Sequence, residues 1–366
     1  MRVRLEDVCE KESSKLKQSD VIDQNGLYPV YGASGYLGNI NTYQQSNYYI
    51  AVVKDGAGIG RTMLLPPESS IIGTMQYLIP KDNVLPEYLY YVVKAKHLEK
   101  YFSGATIPHI YFKDYKNEQF DLVSFEEQRV IINRLQKIEI IIDNLSKNLL
   151  LLDELVRARF VEMFGDPVTN DMLWNTDVLK DICTKIGSGS TPRGGKESYI
   201  DEGISLIRSM NVHNAYFGYK DLAHITLDQA EKLNNVVVEH DDLLFNITGA
   251  SVARCCVVPS DVLPARVNQH VCILRCREKI NPIFLQELLV NENYQGKLLQ
   301  IAKSGATREA INKQQLESLE IMLPPLELQN QFASFVEEID KSRSRIQKSL
   351  EASQELFDSL MQEYFG

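Results

Sequence analysis

The second half of this 366-residue chain repeats the first. Ser103-Gly104-Ala105-Thr106 returns 201 residues later as Ser304-Gly305-Ala306-Thr307, Glu126 and Gln128 return as Glu327 and Gln329, and Phe164-Gly165 returns as Phe365-Gly366. A chain built from two copies of one plan folds into two units of like architecture related by a pseudo-two-fold axis. Each copy reads as a globular unit followed by a long helix.

The helices are the most legible part. Residues 125–164 contain neither Pro nor Gly, and apolar residues recur at alternating steps of four and three. The series Ile131, Leu135, Ile138, Ile142, Leu145, Leu149, Leu152, Val156, Arg159 and Met163 has the spacing of a coiled-coil seam. Adding 201 gives a second seam: Phe332, Val336, Ile339, Arg343, Ile346, Leu350, Ser353, Phe357, Leu360 and Tyr364. Each helix, at forty residues or so, is roughly 60 Å long. The simplest partner for each is the other, running antiparallel, with Arg159, Arg343 and Ser353 fixing register. The resulting division is a first globular unit over 1–124, a helix over 125–165, a linker over 166–174, a second unit over 175–325 and a second helix over 326–366.

The globular units read as α+β. Strands are expected over 48–54 and 71–79, then a helix from Pro86 to about Phe102. The second unit mirrors this with 242–247, 271–276 and a helix from Pro282 to about Lys303. The offset shrinks inside the units. Arg61 aligns with Arg254 and Gln76 with Gln269 at 193, and Leu5-x-Asp7-Val8-Cys9 aligns with Leu179-x-Asp181-Ile182-Cys183 at 174. The second unit therefore carries net insertions, some within 187–225.

Several kinds of chemistry are excluded. Gly56-Ala57-Gly58-Ile59-Gly60 has the look of a nucleotide loop, but Arg61 to Pro67 leaves no room for the helix that a dinucleotide fingerprint needs, so a tight hairpin is the better reading. His270, Cys272, Cys276 and the Cys255-Cys256 pair lack the paired knuckles of a zinc site, and the six cysteines read as reduced thiols. No G-x-S-x-G elbow, Walker A loop, H-E-x-x-H helix or Asn/Asp-Pro-Pro-Tyr/Phe loop is present. The chain reads as non-catalytic, without a metal. No apolar N-terminal segment or membrane-length run is visible, which predicts a cytoplasmic protein. The net charge of −10 is unevenly spread: residues 1–124 hold 13 basic against 14 acidic side chains, residues 175–325 hold 16 against 18, and the excess acid lies on the helices.

What remains is a set of polar loops suited to phosphates and base edges. In the second unit these carry Ser188, Ser190, Thr191, Arg193, Lys196, Arg208, Asn211, Asn246, Thr248, Arg254, Asn268 and Gln269. In the first, Tyr36, Asn39, Lys54, Arg61 and Gln76 take comparable places. Arginine reads guanine and asparagine or glutamine reads adenine through paired hydrogen bonds, while hydroxyls and glycines admit close approach to phosphates.

With these residues in view the chain resembles the specificity subunits of type I restriction-modification systems. The resemblance rests on the Gly187–Arg193 loop, the Tyr28–Ala33 segment, the repeated Ser-Gly-Ala-Thr, and the Glu-x-Gln helix starts, the second after Leu323-Pro-Pro-Leu326. The first unit lacks the Thr-Pro-Arg loop and the first helix lacks the proline pair. The resemblance implies a non-catalytic reader of a split, asymmetric target in double-stranded DNA, each unit reading one half, with the helices as a ruler capping the separation at roughly 17 base pairs. It also implies two modification subunits that use S-adenosylmethionine to methylate adenine, and restriction subunits that use ATP and Mg. The competing reading is a coiled-coil adaptor bridging two protein partners.

Overall fold

The computed structural model describes residues 1–22, 24–104, 108–192, 194–304 and 309–366. Two forty-residue helices, Phe125–Phe164 and Leu326–Phe365, dominate it. The chain divides into two compact units that cut across the helices: residues 1–147 with 347–366, and residues 148–346. Each helix therefore starts in one unit and finishes in the other. No helix among the described residues is long and apolar enough to cross a membrane.

In the first unit a four-stranded antiparallel sheet runs in the order Cys9–Ser13, Met75–Pro80, Tyr49–Val53, Thr62–Leu65. A second sheet pairs the hairpin Tyr28–Gly32/Gly35–Ile40 with Ser70–Ile71, the last in parallel. The helix Pro86–Ala95 covers the larger sheet with Tyr88, Leu89, Tyr91, Val92 and Val93 buried. It ends before Phe102, because His97 takes a left-handed φ of 48° and the chain continues as a short 3-10 turn. The Gly56–Gly60 segment is a hairpin loop between antiparallel strands. Gly60 lies at φ +81°, where a Cβ would sit 2.6 Å from the Glu99 nitrogen, so only glycine fits.

The second unit repeats this plan. Its larger sheet orders Cys183–Ser188, Val271–Cys276, Leu243–Asn246, Cys255–Val257. Its second sheet has four strands, Ala223–Ile225, Ile204–Ile207, Ala265–Val267 and Val237–Val238, so the inserted residues build a fuller sheet. The helix expected from Pro282 is two, Pro282–Val290 and Glu292–Lys303, broken at Asn291, whose side chain accepts from the Asn293 and Tyr294 amides as an N-cap.

Sheet register corrects one alignment made from sequence. Val52 pairs with Thr62, and Phe245 with Cys255, which keeps the offset of 193. Gln76, however, lies opposite Val52 and Ser13, where the second unit places Cys272 opposite Phe245 and Ser188. The counterpart of Gln76 is thus Cys272, not Gln269. A register shift between Cys183 and Lys185 likewise moves the offset by one, so that Lys11 corresponds to Ile186 and Ser13 to Ser188.

The repeated motifs explain themselves in packing. Gln128 is buried; its Oε1 accepts from the Leu85 amide at 2.9 Å and its Nε2 donates to the Val123 carbonyl at 3.0 Å. Gln329 does the same with the Asn281 amide at 2.9 Å and the Pro324 carbonyl at 2.8 Å. Each glutamine ties the start of a long helix to the start of the helix that covers the sheet.

Inside each unit the two helix segments run antiparallel. Arg134 donates to Tyr364 in the first unit, and Arg343 reaches Asp153 at 2.6 Å in the second. Phe160 and Phe164 pack on Phe332 with ring centroids 5.5 and 5.4 Å apart. Leu135, Ile138, Phe332, Val336 and Phe357 are buried in the unit cores, and Ile131, Ile142, Leu145, Leu149, Leu152, Ile339, Ile346, Leu350 and Leu360 are half-buried. Arg159 leaves the expected seam: it is exposed and pairs with Glu162, while Phe160 takes the buried position. A straight helix drifts from a strict heptad, and here the drift brings the neighbouring residue inward.

Glu287, buried on the Pro282–Val290 helix, accepts from Gln286 at 2.8 Å, and burial pushes its carboxyl up to about 7. Between the ordinary value of 4.5 and about 7 the folded unit keeps a proton that the unfolded chain releases. Stability of the second unit should therefore fall as pH rises through that window. Glu287→Gln should raise it by on the order of 1–3 kcal/mol at pH 8 and change it little at pH 5. Urea titrations at the two pH values check this, and an equal effect at both contradicts it. Gln329→Ala should cost about 1–3 kcal/mol by leaving the Asn281 amide unpaired, seen as a lowered urea midpoint.

Candidate nucleic-acid interface

The polar residues singled out from sequence divide into two groups. Asn211 is buried: its Nδ2 donates to the carbonyls of Gly218 at 2.9 Å and Lys220 at 3.3 Å, and its Oδ1 accepts from the Arg208 amide. Asn246 donates to the Ser209 carbonyl at 2.9 Å, Asn268 accepts from the His270 amide at 3.0 Å, and Gln76 donates to the Glu12 carbonyl at 3.1 Å. All four are buried and spend these groups on their own backbone, so they shape loops rather than face outward. Arg208 is similarly engaged, donating to the Asp221 carbonyl with its guanidinium 5.5 Å from the Tyr199 ring centroid.

The second group stays accessible. Ser190, Thr191, Lys196 and Gln269 are exposed, and Ser188 and Arg254 are half-buried. The Thr191 hydroxyl donates to Gln269 Oε1, Gln269 Nε2 lies 3.2 Å from His270 Nε2, and His270 Nδ1 lies 2.6 Å from the Thr248 hydroxyl. This chain of hydrogen bonds gathers the 187–192 loop, the turn before Val271 and the hairpin at Gly249 into one polar edge. Arg193 lies outside the described residues, as do Ala105, Thr106, Gly305, Ala306 and Thr307 of the repeated Ser-Gly-Ala-Thr segments.

The first unit carries a comparable edge of different chemistry. Tyr36, 62% exposed, donates to Asn39 and meets Tyr31 edge-on, and Arg61 donates to the Ala33 carbonyl at 2.9 Å. The same unit holds a cleft of about 370 Å³ whose walls carry Lys11, Ser13, Lys54, Gln76, Tyr111, Lys113 and Lys116, with the apolar Ile110 and Phe112 among them. Sequence reasoning finds Lys54 and Gln76 and misses the rest. Lys11 sits in a strand between Glu10 and Glu12, and the 111–116 segment is a hundred residues away, so local composition hides the cluster.

One backbone clamp holds both edges. Gly56 donates to the Pro108 carbonyl at 3.0 Å and Ile110 to that of Lys54 at 2.9 Å; in the second unit Gly249 donates to Glu309 and Ile311 to Ile247, both at 2.9 Å. Around this shared frame the side chains differ. Asp55 and His109 form a 2.7 Å pair where the second unit has Thr248 and Ala310. The six cysteines are free, and burial holds the Cys9, Cys256 and Cys272 thiols up to about 12, hence protonated. The accessible groups are hydroxyls, amides, aromatic rings and cations, a set that hydrogen-bonds and neutralises phosphates.

The family model described as the type I restriction modification DNA specificity domain matches residues 1–151 and again 172–354. The chain is 22% identical over 312 residues to the type I restriction enzyme MjaIX specificity subunit of Methanocaldococcus jannaschii, covering 78% of this chain and 69% of that one. It is 24% identical over 195 residues to the putative MjaX specificity subunit of the same organism, covering 52% of this chain and 45%, about half, of that relative. Among solved structures, the S subunit of the type I restriction-modification system from M. genitalium superposes with a TM-score of 0.68 at 16% identity, covering 100% of this chain and 96% of that one. A chain from a structure titled as the basis of complex assembly and conformational transition of the type I R-M system gives 0.57 at 16%, with 100% and 97% covered. At such identities the superpositions bear on the fold, which they share over the whole chain. The family model, taking in nearly the full length in two tandem stretches, carries the assignment: this chain belongs to the type I restriction-modification DNA specificity family.

Proposed function

We propose that the chain is the non-catalytic reader of a bipartite, asymmetric target in duplex DNA, each unit taking one half. The observation that carries this reading is a scaffold repeated down to its backbone clamp, presenting different side chains at equivalent places. Two units of one fold with different exposed edges suit two unlike half-sites approached in the same manner. The two forty-residue helices set the spacing between those half-sites.

Methyl transfer, translocation and cleavage then belong to partner chains, which bring S-adenosylmethionine, ATP and Mg. Exposed apolar residues of the first long helix support docking of one modification subunit on each unit: Ile140 and Ile141 in the first and Leu151 and Leu155 in the second are between 47% and 59% exposed.

The test uses the chain assembled with its modification subunits in competition binding. Cognate duplex should outcompete random duplex at physiological salt, and equal competition contradicts the reading. Exchanging residues 175–325 for those of a relative should change one half of the preferred target and leave the other untouched. Arg193→Ala should cost about 1–3 kcal/mol on duplexes through the half read by the second unit alone. Removing one heptad from both helices separates a DNA ruler from a protein adaptor. A ruler changes or loses its spacer preference, whereas an adaptor keeps its partners and shows no spacer preference at all.

A further inference from the structure

The cleft of the first unit differs from its counterpart in the second in a way that neither the repeat nor the family model assigns. Strand register and the backbone clamp place Lys11 where the second unit has Ile186, and Lys54 where it has Ile247. The short helices Phe112–Tyr115 and Lys313–Glu317, which open at equivalent points, place Lys113 against Gln314 and Lys116 against Glu317. Four lysines in one copy thus become two isoleucines, a glutamine and a glutamate in the other. Lys313, which stands where the first unit has Phe112, lies 3.6 Å from Glu317.

Within the first-unit cleft the lysines are not all equally available. Lys116 is held by Glu6 at 2.8 Å, and Lys54 has Asp55 at 3.9 Å. Lys113 stands 5.3 Å from the Tyr111 ring centroid, which orients a cation without neutralising it, and Lys11 has no ion-pair partner among the described residues. Ser13 and Tyr111, the latter 48% exposed, add hydroxyls to the same walls. Buried Gln76 forms the floor between strands Cys9–Ser13 and Tyr49–Val53. The cleft is open, positively charged and furnished with hydroxyl donors, which is the chemistry of a phosphodiester site.

We infer that Lys11, Lys54 and Lys113, with Ser13 and Tyr111, form a phosphate-backbone anchor confined to the first unit, so that the two halves of the target are held by different forces. This rests on the duplex-reading proposal above. The first unit contributes a charge-driven, sequence-independent grip at a place where the second has no equivalent lysines; the second meets the duplex with the polar edge around Thr191, Gln269 and Thr248 and its own accessible cations Lys196 and Arg254. The lysines here are positioning residues, and base preference lies elsewhere.

The experiment measures duplex affinity of the assembled complex from low to physiological salt. It compares the unaltered chain with the triple variant Lys11→Gln, Lys54→Gln, Lys113→Gln, and with a control, Lys147→Gln plus Lys341→Gln, on the long helices. Every phosphate that a lysine no longer neutralises lowers the slope of log affinity against log salt by about 0.9, so the slope of the triple variant should be shallower by about 2–3. The control should keep it, and the matching Lys→Arg triple should restore it. Relative affinities for duplexes altered in either half-site should be unchanged. An unaltered slope in the triple variant, with its urea midpoint intact, overturns the anchor while leaving the duplex reader standing. Altered base preference also overturns it, because the cleft would then be reading sequence. If the unaltered complex shows no salt-dependent duplex binding, the broader proposal fails and the anchor with it.

Discussion

The structure depends on where each long helix ends. The first helix finishes at Phe164, whose ring packs on Phe284 at 4.8 Å, in the unit formed by residues 148–346. The second finishes at Phe365, whose ring meets Tyr88 at 5.3 Å, in the unit formed by the chain's beginning. Phe365 is further held by Lys96, which donates to its carbonyl at 2.5 Å, and the Phe164 carbonyl accepts from the Trp174 indole at 3.0 Å. Each core is therefore incomplete until the other copy's helix arrives. Aromatic burial of this size is among the larger single contributions available to a fold. It makes the helices parts of both cores rather than tethers between them.

That exchange explains why some positions repeat faithfully and others do not. Gln128 and Gln329 sit at helix starts where one side chain satisfies an amide and a carbonyl at once, and an apolar replacement would strand both. The clamp that joins residues 54–56 to 108–110, and 247–249 to 309–311, uses backbone groups alone, so the side chains it carries are free to vary. Shared geometry and divergent chemistry come from the same division: what holds the frame is repeated, and what faces outward is not.

Much of this is legible in the sequence because period and spacing are one-dimensional signals. The helices, the tight Gly56–Gly60 hairpin and the seam positions from Leu135 to Leu149 follow from counting. Direction of a side chain does not. Asn211, Asn246, Asn268 and Gln76 have the composition of base-reading residues, yet each turns inward to bond its own loops. Heptad arithmetic places Arg159 on a seam that a real helix leaves by one residue. The lysine cleft is hidden for the opposite reason, since Lys11, Lys54 and Lys113 are distant in the chain and meet only through the order of the strands and the clamp that joins residues 54–56 to 108–110.

On the proposed reading, one frame, used twice, presents two separate reading edges to one duplex. Hydroxyl-radical footprinting of the assembled complex on its cognate duplex tests it directly. Two protected patches separated by an accessible spacer are predicted, with only one of them lost on exchanging residues 175–325 while the duplex is kept the same. A single continuous footprint, or loss of both patches on that exchange, would contradict it.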